Sequence, residues 1–369
     1  MAEYVFMLGR DFQLSILEIA SYFSARNIAY KIKAFDSKVA LISFNEEIDC
    51  TRTIKKLGGT IKIAKLIASV DDIKLPDMDK IKYSIADIGS ARKNEVIIKL
   101  KKRFKENGSK AYLKDSVNGL SPSDFFRHNI FKTGFELILY KEHLALTRAV
   151  FNPSGYEARD KRPYLEREKL TSIRLAKILV NLSHVKENEK LLDPFCGVAT
   201  ILQEALLMGI EAIGMDVDKK TLYHANKNLT WLRNKYKFKA NFLLVNKDAR
   251  SASSYIEKVD GIATEPYLGP YLRRLPELKE AKRTALGLAR LYNDSLKEFH
   301  ATLKPKGKVA IIIPKFKTKE QVPVRINFEG IARQNKFLIY KPFKGISMPV
   351  LYSPKGTKLA REIYILEKV

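Results

Sequence analysis

The sequence predicts an α/β fold: a doubly wound, mostly parallel sheet with an antiparallel C-terminal strand, preceded by smaller α+β parts. Three observations carry this. From about Leu165 onward, five apolar runs recur ("EKLLDPF", "IEAIGMDV", "ANFLLV", "VDGIAT" and "KVAIIIP"), most of them separated by helix-length segments. Strand and helix in alternation argue for parallel strands joined by crossover helices. The runs "FLIY" and "REIYILE" near the end lie close enough to pair antiparallel. A chain of 369 residues also exceeds what one hydrophobic core serves, so two or three domains are expected.

In chain order, the first part covers roughly Met1 to Ser69. "YVFMLG" and "VALISF" have strand length and composition. Between them "DFQLSILEIASYFSARN" places Leu14, Ile16, Leu17, Ile19, Ala20 and Phe23 on one broad helical face. "KLGGTIKIAKLIASV" breaks at Gly58-Gly59 and resumes, and the polar "DDIKLPDMD" reads as a linker. A second part, roughly Lys80 to Phe151, holds a strand candidate "EVIIKL", the basic run "KKRFKENGSK" and a helix around "SPSDFFRHNIF". It ends in a hairpin, "FELILYKEHLALTRAVF", with "KEH" at the turn. Basic residues headed by Lys101, Lys102 and Arg103 interleave with Phe104, Tyr112, Phe125, Phe126 and Phe131. That mixture suits RNA contact, and a solvated charged face over an aromatic core is the alternative.

Composition narrows the function classes. Hydrophobic residues make up 46% of the chain, which reads as globular, and no apolar run is long enough to cross a bilayer. The start, "MAEYVFMLGRDFQ", shows no secretory signal pattern. Two cysteines, Cys50 and Cys196, form neither a disulfide framework nor a metal cluster, so no metal is expected and the cytoplasm is the expected compartment. Lys+Arg 67 against Asp+Glu 41 leaves a net charge of +26. Such an excess favours a polyanionic partner, because each phosphate neutralised releases condensed counterions. Heat-adapted, lysine-rich composition is the competing source of the charge.

The first chemical motif is "KLLDPFCGVATILQEALLMG". A strand ends at Asp193, a tight turn carries Gly197, and a helix starts around Thr200. Backbone amides at such a helix start, beside a glycine that permits close approach, make a cradle for a nucleotide-type ligand. The next strand ends at Asp216, where an acid can accept both hydroxyls of a ribose. A third acid, Asp248 in "VNKDAR", ends the following strand and can meet an adenine amino group. A lone aspartate in such a place is as often a helix N-cap; three at successive strand ends point to a nucleoside cofactor.

"LLDPFCGVATILQEA", "IGMDVD" and "ANKNL" resemble the S-adenosylmethionine-binding half of class I RNA N2-guanine methyltransferases. The resemblance implies that Asp193 faces the methionine amino group, and that Phe195, Gly197, Ala199 and Thr200 form the turn around the cofactor. It likewise assigns Asp216 to the ribose and Asp248 to the adenine, with Val217 and Ala249 also among the cofactor-binding residues. The family's second glycine is Ala199 here, and alanine resists positive φ, so a shifted loop is expected. The likeness extends along most of the chain. "YVFMLGRDFQLSILEIASYF" and "KKLGGTIKIAKLI" are similar to the ferredoxin-like domain of archaeal and eukaryotic tRNA guanosine-10 N2-methyltransferases, and "FELILYKEHLALTRAVFNPSGYEARDKRPY" to the end of their THUMP domain and the following joint. It implies a ferredoxin-like domain over 1–72, a THUMP domain over 73–151, a joint over 152–166 and a Rossmann-like class I methyltransferase domain over 167–369. It further implies tRNA and not DNA as partner, and leaves open a small zinc-ribbon activator protein of the kind some relatives use; a monomer is expected over an oligomer. Arg159 and Arg162 of the joint are expected to contact RNA, with an ion-pair clasp on Asp160 as the alternative.

The catalytic loop of that family has an Asp-Pro-Pro-Tyr tetrad, and here the corresponding stretch reads "ATEPYLGP". An exocyclic amine has its lone pair delocalised into the ring. A loop that methylates it accepts hydrogen bonds from the amine, frees the lone pair, and stacks an aromatic ring on the extruded base. In one register Glu265 takes the acid's place, Pro266 follows and Gly269 matches the glycine after the tetrad; in the other, Pro266-Tyr267 align and Thr264 takes the acid's place. The first keeps the carboxylate and is preferred, with Tyr267 still reaching the base. The basic pair Arg273 and Arg274 follows, placed to meet phosphates around an extruded nucleotide, with a solvated helix face as the alternative. The function expected is N2-methylation of guanosine 10 in tRNA. The alternatives are another exocyclic amine on the same fold, or a THUMP-type RNA-binding protein without turnover.

Overall fold

Two hydrogen-bonded sheets organise the chain in the computed structural model, which describes residues 1–114, 118–165, 171–353 and 357–369. One compact unit comprises Met1–Ser15 and Ile28–Ala158; the other comprises Ile16–Asn27 and Arg159–Val369. The boundary expected at 166/167 lies outside the described residues.

In chain order the first region holds β1 (Ala2–Leu8), α1 (Phe12–Ala25), β2 (Tyr30–Phe35), β3 (Val39–Phe44), α2 (Cys50–Lys56), β4 (Thr60–Ile67), β5 (Lys80–Ile88), α3 (Lys93–Glu106), β6 (Lys110–Leu113), α4 (Pro122–Arg127), α5 (Ile130–Thr133), β7 (Gly134–Tyr140), β8 (His143–Val150) and α6 (Ser154–Arg159). Its eight strands form one sheet in the order β2-β3-β1-β4-β8-β7-β5-β6. The sequence divides this region at 72/73, yet the sheet runs across that point through antiparallel β4 and β8, with Lys62 opposite Val150. Glu136 and Lys62 form a fully buried ion pair at 2.7 Å. The ammonium also donates to the Leu120 carbonyl, while the carboxylate accepts from the Leu120 amide and the Thr147 hydroxyl. A buried pair is tolerated when its remaining polar atoms are satisfied in this way.

One element expected as a strand is a helix. "EVIIKL" lies inside α3, where Val96, Leu100 and Phe104 are buried at a spacing of four. Ile98, between them, is 68% exposed. A short apolar run is ambiguous by itself, and the basic continuation to Phe104 extends the helical period. The aromatics of this region separate: Phe104 and Phe125 belong to the core, whereas Tyr112, Phe126 and Phe131 are exposed. The hairpin forms as expected, Tyr140 pairing with His143 across Lys141-Glu142.

The second region holds α7 (Ile173–Leu182), β9 (Lys190–Asp193), α8 (Thr200–Leu207), β10 (Glu211–Met215), α9 (Lys219–Tyr236), β11 (Phe242–Val245), β12 (Val259–Thr264), α10 (Leu278–Thr302), β13 (Leu303–Phe316), β14 (Val324–Arg325), α11 (Phe328–Gln334), β15 (Phe337–Ile339), β16 (Val350–Tyr352) and β17 (Leu359–Lys368). The strand order is β11-β10-β9-β12-β13-β17-β15, with β14 on β13 and β16 on β17. All five expected parallel strands are present, and β17 is antiparallel between β13 and β15. Successive strands step outward from β9 to β11, and the chain then returns to β12 on the other side of β9. The C-terminal ends of β9 and β12 therefore border a crevice, the place where open α/β sheets bind ligands. α10 closes one face with Ala281, Ala285, Leu288, Tyr292, Leu296 and Phe299, which pack on Leu192, Ile262, Val309 and Ile311. No helix among the described residues is long and apolar enough to cross a membrane.

Candidate active site

The crevice opens into a cavity of about 950 Å³. Its walls come from the turn after β9 (Asp193 to Val198, and Thr200, with Ala199 buried behind them), the turns past β10 and β11 (Asp216 and Val217; Asp248 and Ala249), the loop after β12 (Glu265 to Leu272), and Thr357, Lys358, Leu359 and Arg361 at the start of β17.

Asp193 is the buried centre. It is 1% exposed, accepts a 2.7 Å hydrogen bond from the Thr264 hydroxyl, and accepts another at 3.2 Å from the Phe195 amide. Burial pushes its carboxyl up to about 7; the negative charges of Asp216 and Glu265 push the same way, against the two hydrogen bonds. Thr264 is fully buried behind Asp193 and does not line the cavity. Glu265, the next residue, does line it.

The turn after β9 keeps the left-handed geometry in spite of the alanine. Gly197 has φ +50 and a Cβ built there meets nothing, so this backbone faces open space. Ala199 sits at φ 72, ψ 33, directly before α8. Alanine therefore adopts the left-handed region that it resists, and the strain sits in Ala199, since a side chain there costs about 1–2 kcal/mol. Ala199→Gly is accordingly expected to stabilise the fold by roughly 0.5–1 kcal/mol. An equilibrium urea titration would read this as a higher midpoint at unchanged slope. Asp216 accepts from the Gly197 amide at 3.0 Å and from the Asp218 amide at 2.9 Å, which couples the end of β10 to this turn. Asp248 accepts from Arg250 at 2.7 and 3.0 Å, and that hydrogen-bonded guanidinium lowers its pKa. Val217 is 72% exposed, and with Phe195 and Ala249 it forms the apolar part of this end of the cavity.

At the other end Glu265 is held on both oxygens. Arg361 Nε donates to Oε1 at 2.6 Å, and the Thr171 hydroxyl donates to Oε2. Pro266 is buried and Tyr267 is 55% exposed. The Tyr267 carbonyl accepts from the hydroxyl of Tyr292, a residue buried on α10. Gly269 has φ +103, and a Cβ there would lie 3.1 Å from Thr284, so glycine is required where the loop turns over α10. Tyr271 continues the wall and is 61% exposed.

Two expectations about arginines are corrected. Arg159 and Arg162 are 6% and 4% exposed and cannot act as open phosphate contacts. Arg159 pairs with Glu204 of α8 at 2.8 Å, where Lys177 also reaches at 3.4 Å. Arg162 donates to the Thr200 hydroxyl at 3.2 Å, and Asp160 is 4.0 Å away. The clasp therefore closes mainly on α8, with Asp160 at the outer limit of an ion pair to Arg162. Asn228, fully buried on α9, completes it by bonding the backbone of Tyr164 and the Val198 carbonyl. Arg103 also has an internal role, donating to the carbonyls of Val70 and Ile73. Lys101, Lys102, Arg273 and Arg274 are exposed. Residues that the motifs did not mark are Thr171, Lys358 and Arg361, all remote in sequence from the loop they touch.

The arrangement fits a nucleoside cofactor on grounds internal to this chain. A buried, raised carboxyl lies at one point of the cavity, a backbone turn open to approach lies beside it, and acids follow at two further strand ends. Among the described residues no cluster suited to a metal ion occurs.

Residues 159–335, just under half of the chain, match the family model described as RMKL-like, methyltransferase domain. The chain is 32% identical over 183 residues to the tRNA (guanine(10)-N2)-dimethyltransferase of Methanothermobacter thermautotrophicus, covering 48% of this chain and 50% of that protein. The matched segment thus spans half the length of that relative. It is 25% identical over 375 residues to the tRNA (guanine(10)-N2)-dimethyltransferase of Pyrococcus abyssi, covering 99% of each. Among solved structures, TrmN from Thermus thermophilus is similar in fold, with a TM-score of 0.51 and 17% identity over the whole of both chains.

Proposed function

We propose that this chain is an S-adenosylmethionine-dependent tRNA methyltransferase that forms N2-methylguanosine, at position 10. The observation that carries the reading is that Asp193 and Glu265, at the ends of adjacent parallel strands, face one cavity. One carboxylate suits a cofactor ammonium and the other suits a target amine. Homology to the two archaeal relatives supports the choice of tRNA and of guanosine. The division into ferredoxin-like, THUMP, joint and methyltransferase parts belongs to the same reading, as do a cytoplasmic monomer and a small zinc-ribbon activator protein.

When bound, S-adenosylmethionine supplies a methyl group made electrophilic by its sulfonium. Asp193 would hold the amino group of its methionine part and Asp216 its ribose. The backbone at Gly197 admits the cofactor closely, and Val217 and Ala249 offer apolar surface beside Asp248 for the base. Glu265 accepts a hydrogen bond from the amine and so turns the nitrogen lone pair toward the reaction line. Buried Pro266 keeps the backbone at this point stiff, and the exposed ring of Tyr267 is free to stack on an extruded base. Arg273 and Arg274, exposed beyond the loop, are suited to its phosphates.

The test is incubation of the protein with unmodified total tRNA and labelled S-adenosylmethionine, followed by mass spectrometry of nucleosides and fragments. N2-methylated guanosine at position 10 is expected, and the same spectra count one methyl group or two. A product on another amine overturns the assignment of the target. Cofactor binding without product would favour the RNA-binding alternative.

A further inference from the structure

We infer that Arg361 is a positioning residue that aims the carboxylate of Glu265 and offsets the extra methylene a glutamate brings to this loop. The inference rests on the functional reading above and concerns how its acid is held. A glutamate side chain has one more torsion than an aspartate, and a reacting constellation tolerates only about 0.5 Å of misplacement. Here the freedom is removed by two donors from separate elements. Arg361 Nε takes Oε1 at 2.6 Å and the Thr171 hydroxyl takes Oε2. The Glu265 side chain is left 10% exposed and that of Arg361 20% exposed. Each carboxylate oxygen can accept two hydrogen bonds, so both partners together leave acceptor capacity for an amine.

Arg361 is itself fixed by the sheet. It lies within β17, opposite Pro314 of β13 on one side and Tyr352 of β16 on the other. Its neighbour Glu362 does not compete for it, because that carboxylate pairs with Arg325 at 2.8 Å. Three residues earlier, Lys358 donates to the carbonyls of Leu272 and Arg273. The stretch from Lys358 to Arg361 therefore holds the loop at both ends, at Glu265 and at Leu272-Arg273. A guanidinium suits this role because its charge strengthens the hydrogen bond and its planar donor set fixes direction.

The experiment compares the wild type with R361Q, R361K, E265Q and the double variant E265Q/R361Q. Rates are measured on unmodified tRNA, and cofactor affinity by equilibrium binding. R361Q is expected to lower kcat about 100-fold. Its KM for tRNA and its cofactor Kd should stay within about threefold of the wild type. R361K should recover part of the rate, and R361Q should cost far less in the E265Q background, where the carboxylate to be aimed is gone and only an amide oxygen is left to accept from Arg361. The double variant leaves no unpaired charge and so keeps the comparison independent of folding. Wild-type rates in R361Q, additive losses in the double variant, or an equal loss of cofactor affinity would each overturn the inference alone. A wild-type chain that methylates no tRNA guanosine overturns the functional reading and this inference with it.

Discussion

Glu265→Gln is expected to slow methyl transfer to tRNA by about 10²- to 10³-fold while leaving cofactor affinity intact. Glutamine matches the shape of glutamate, and its oxygen can still accept from Arg361, so the loop should keep its place. What changes is the atom offered to the target amine. The carboxylate offers only acceptors, whereas the amide carries N–H groups that meet an N–H of the amine donor to donor. Orientation of the lone pair is then lost at the step where it matters. Thr264→Ala is the natural contrast. Thr264 is buried behind the cavity and donates to Asp193, so its loss should weaken cofactor binding more than it slows the chemical step. Single-turnover rates at saturating cofactor, paired with binding titrations, separate the two. If Thr264→Ala stops catalysis while Glu265→Gln does not, the acid has been placed one residue too late.

The second large effect concerns Asp193 and pH. In the free protein its carboxyl is raised to about 7, chiefly by burial. Only the ionised form attracts an ammonium group, so the binding-competent fraction falls as pH drops through 7. Cofactor affinity is therefore expected to decline about tenfold per pH unit below that point and to level off above it. The bound ammonium favours ionisation, so binding near pH 6 should release a proton. Calorimetry in buffers of different ionisation enthalpy detects that release directly. Asp193→Asn should cost about 10²-fold or more in affinity at pH 8 and should flatten the pH dependence, because the asparagine has nothing to titrate. An affinity that is flat between about pH 6 and 8 in the wild type would show that this carboxyl is not the titrating group, and an unchanged affinity in Asp193→Asn at pH 8 would show that Asp193 is not the ammonium partner.

Much of the site was legible in the sequence because its parts sit at strand ends. Each parallel strand is a run of β-branched and aliphatic residues that stops at an acid or a turn residue. Asp193, Asp216 and Asp248 could be placed from one dimension alone, and so could the loop that starts at Glu265. The misreadings share a cause as well. "EVIIKL" is too short to choose between helix and strand, and the residue that settles the period, Phe104, lies beyond it. Arg159 and Arg162 look like phosphate contacts because residue type reports charge and not burial. Their partners, Glu204 and Thr200, lie on α8 about forty residues away.

By itself the sequence determined the class of fold, the order of the parallel strands' acids and the loop that bears Glu265. These depend on local pattern: periodicity, turn residues and strand ends. Only the tertiary structure decided what holds that acid. Arg361 is 96 residues from Glu265 and reaches it because β17 inserts antiparallel beside β13, and Thr171 comes from 94 residues on the other side. No local pattern encodes such a meeting. It follows from strand pairing across the sheet, where backbone hydrogen bonds set the register and the register sets which side chain arrives at the loop.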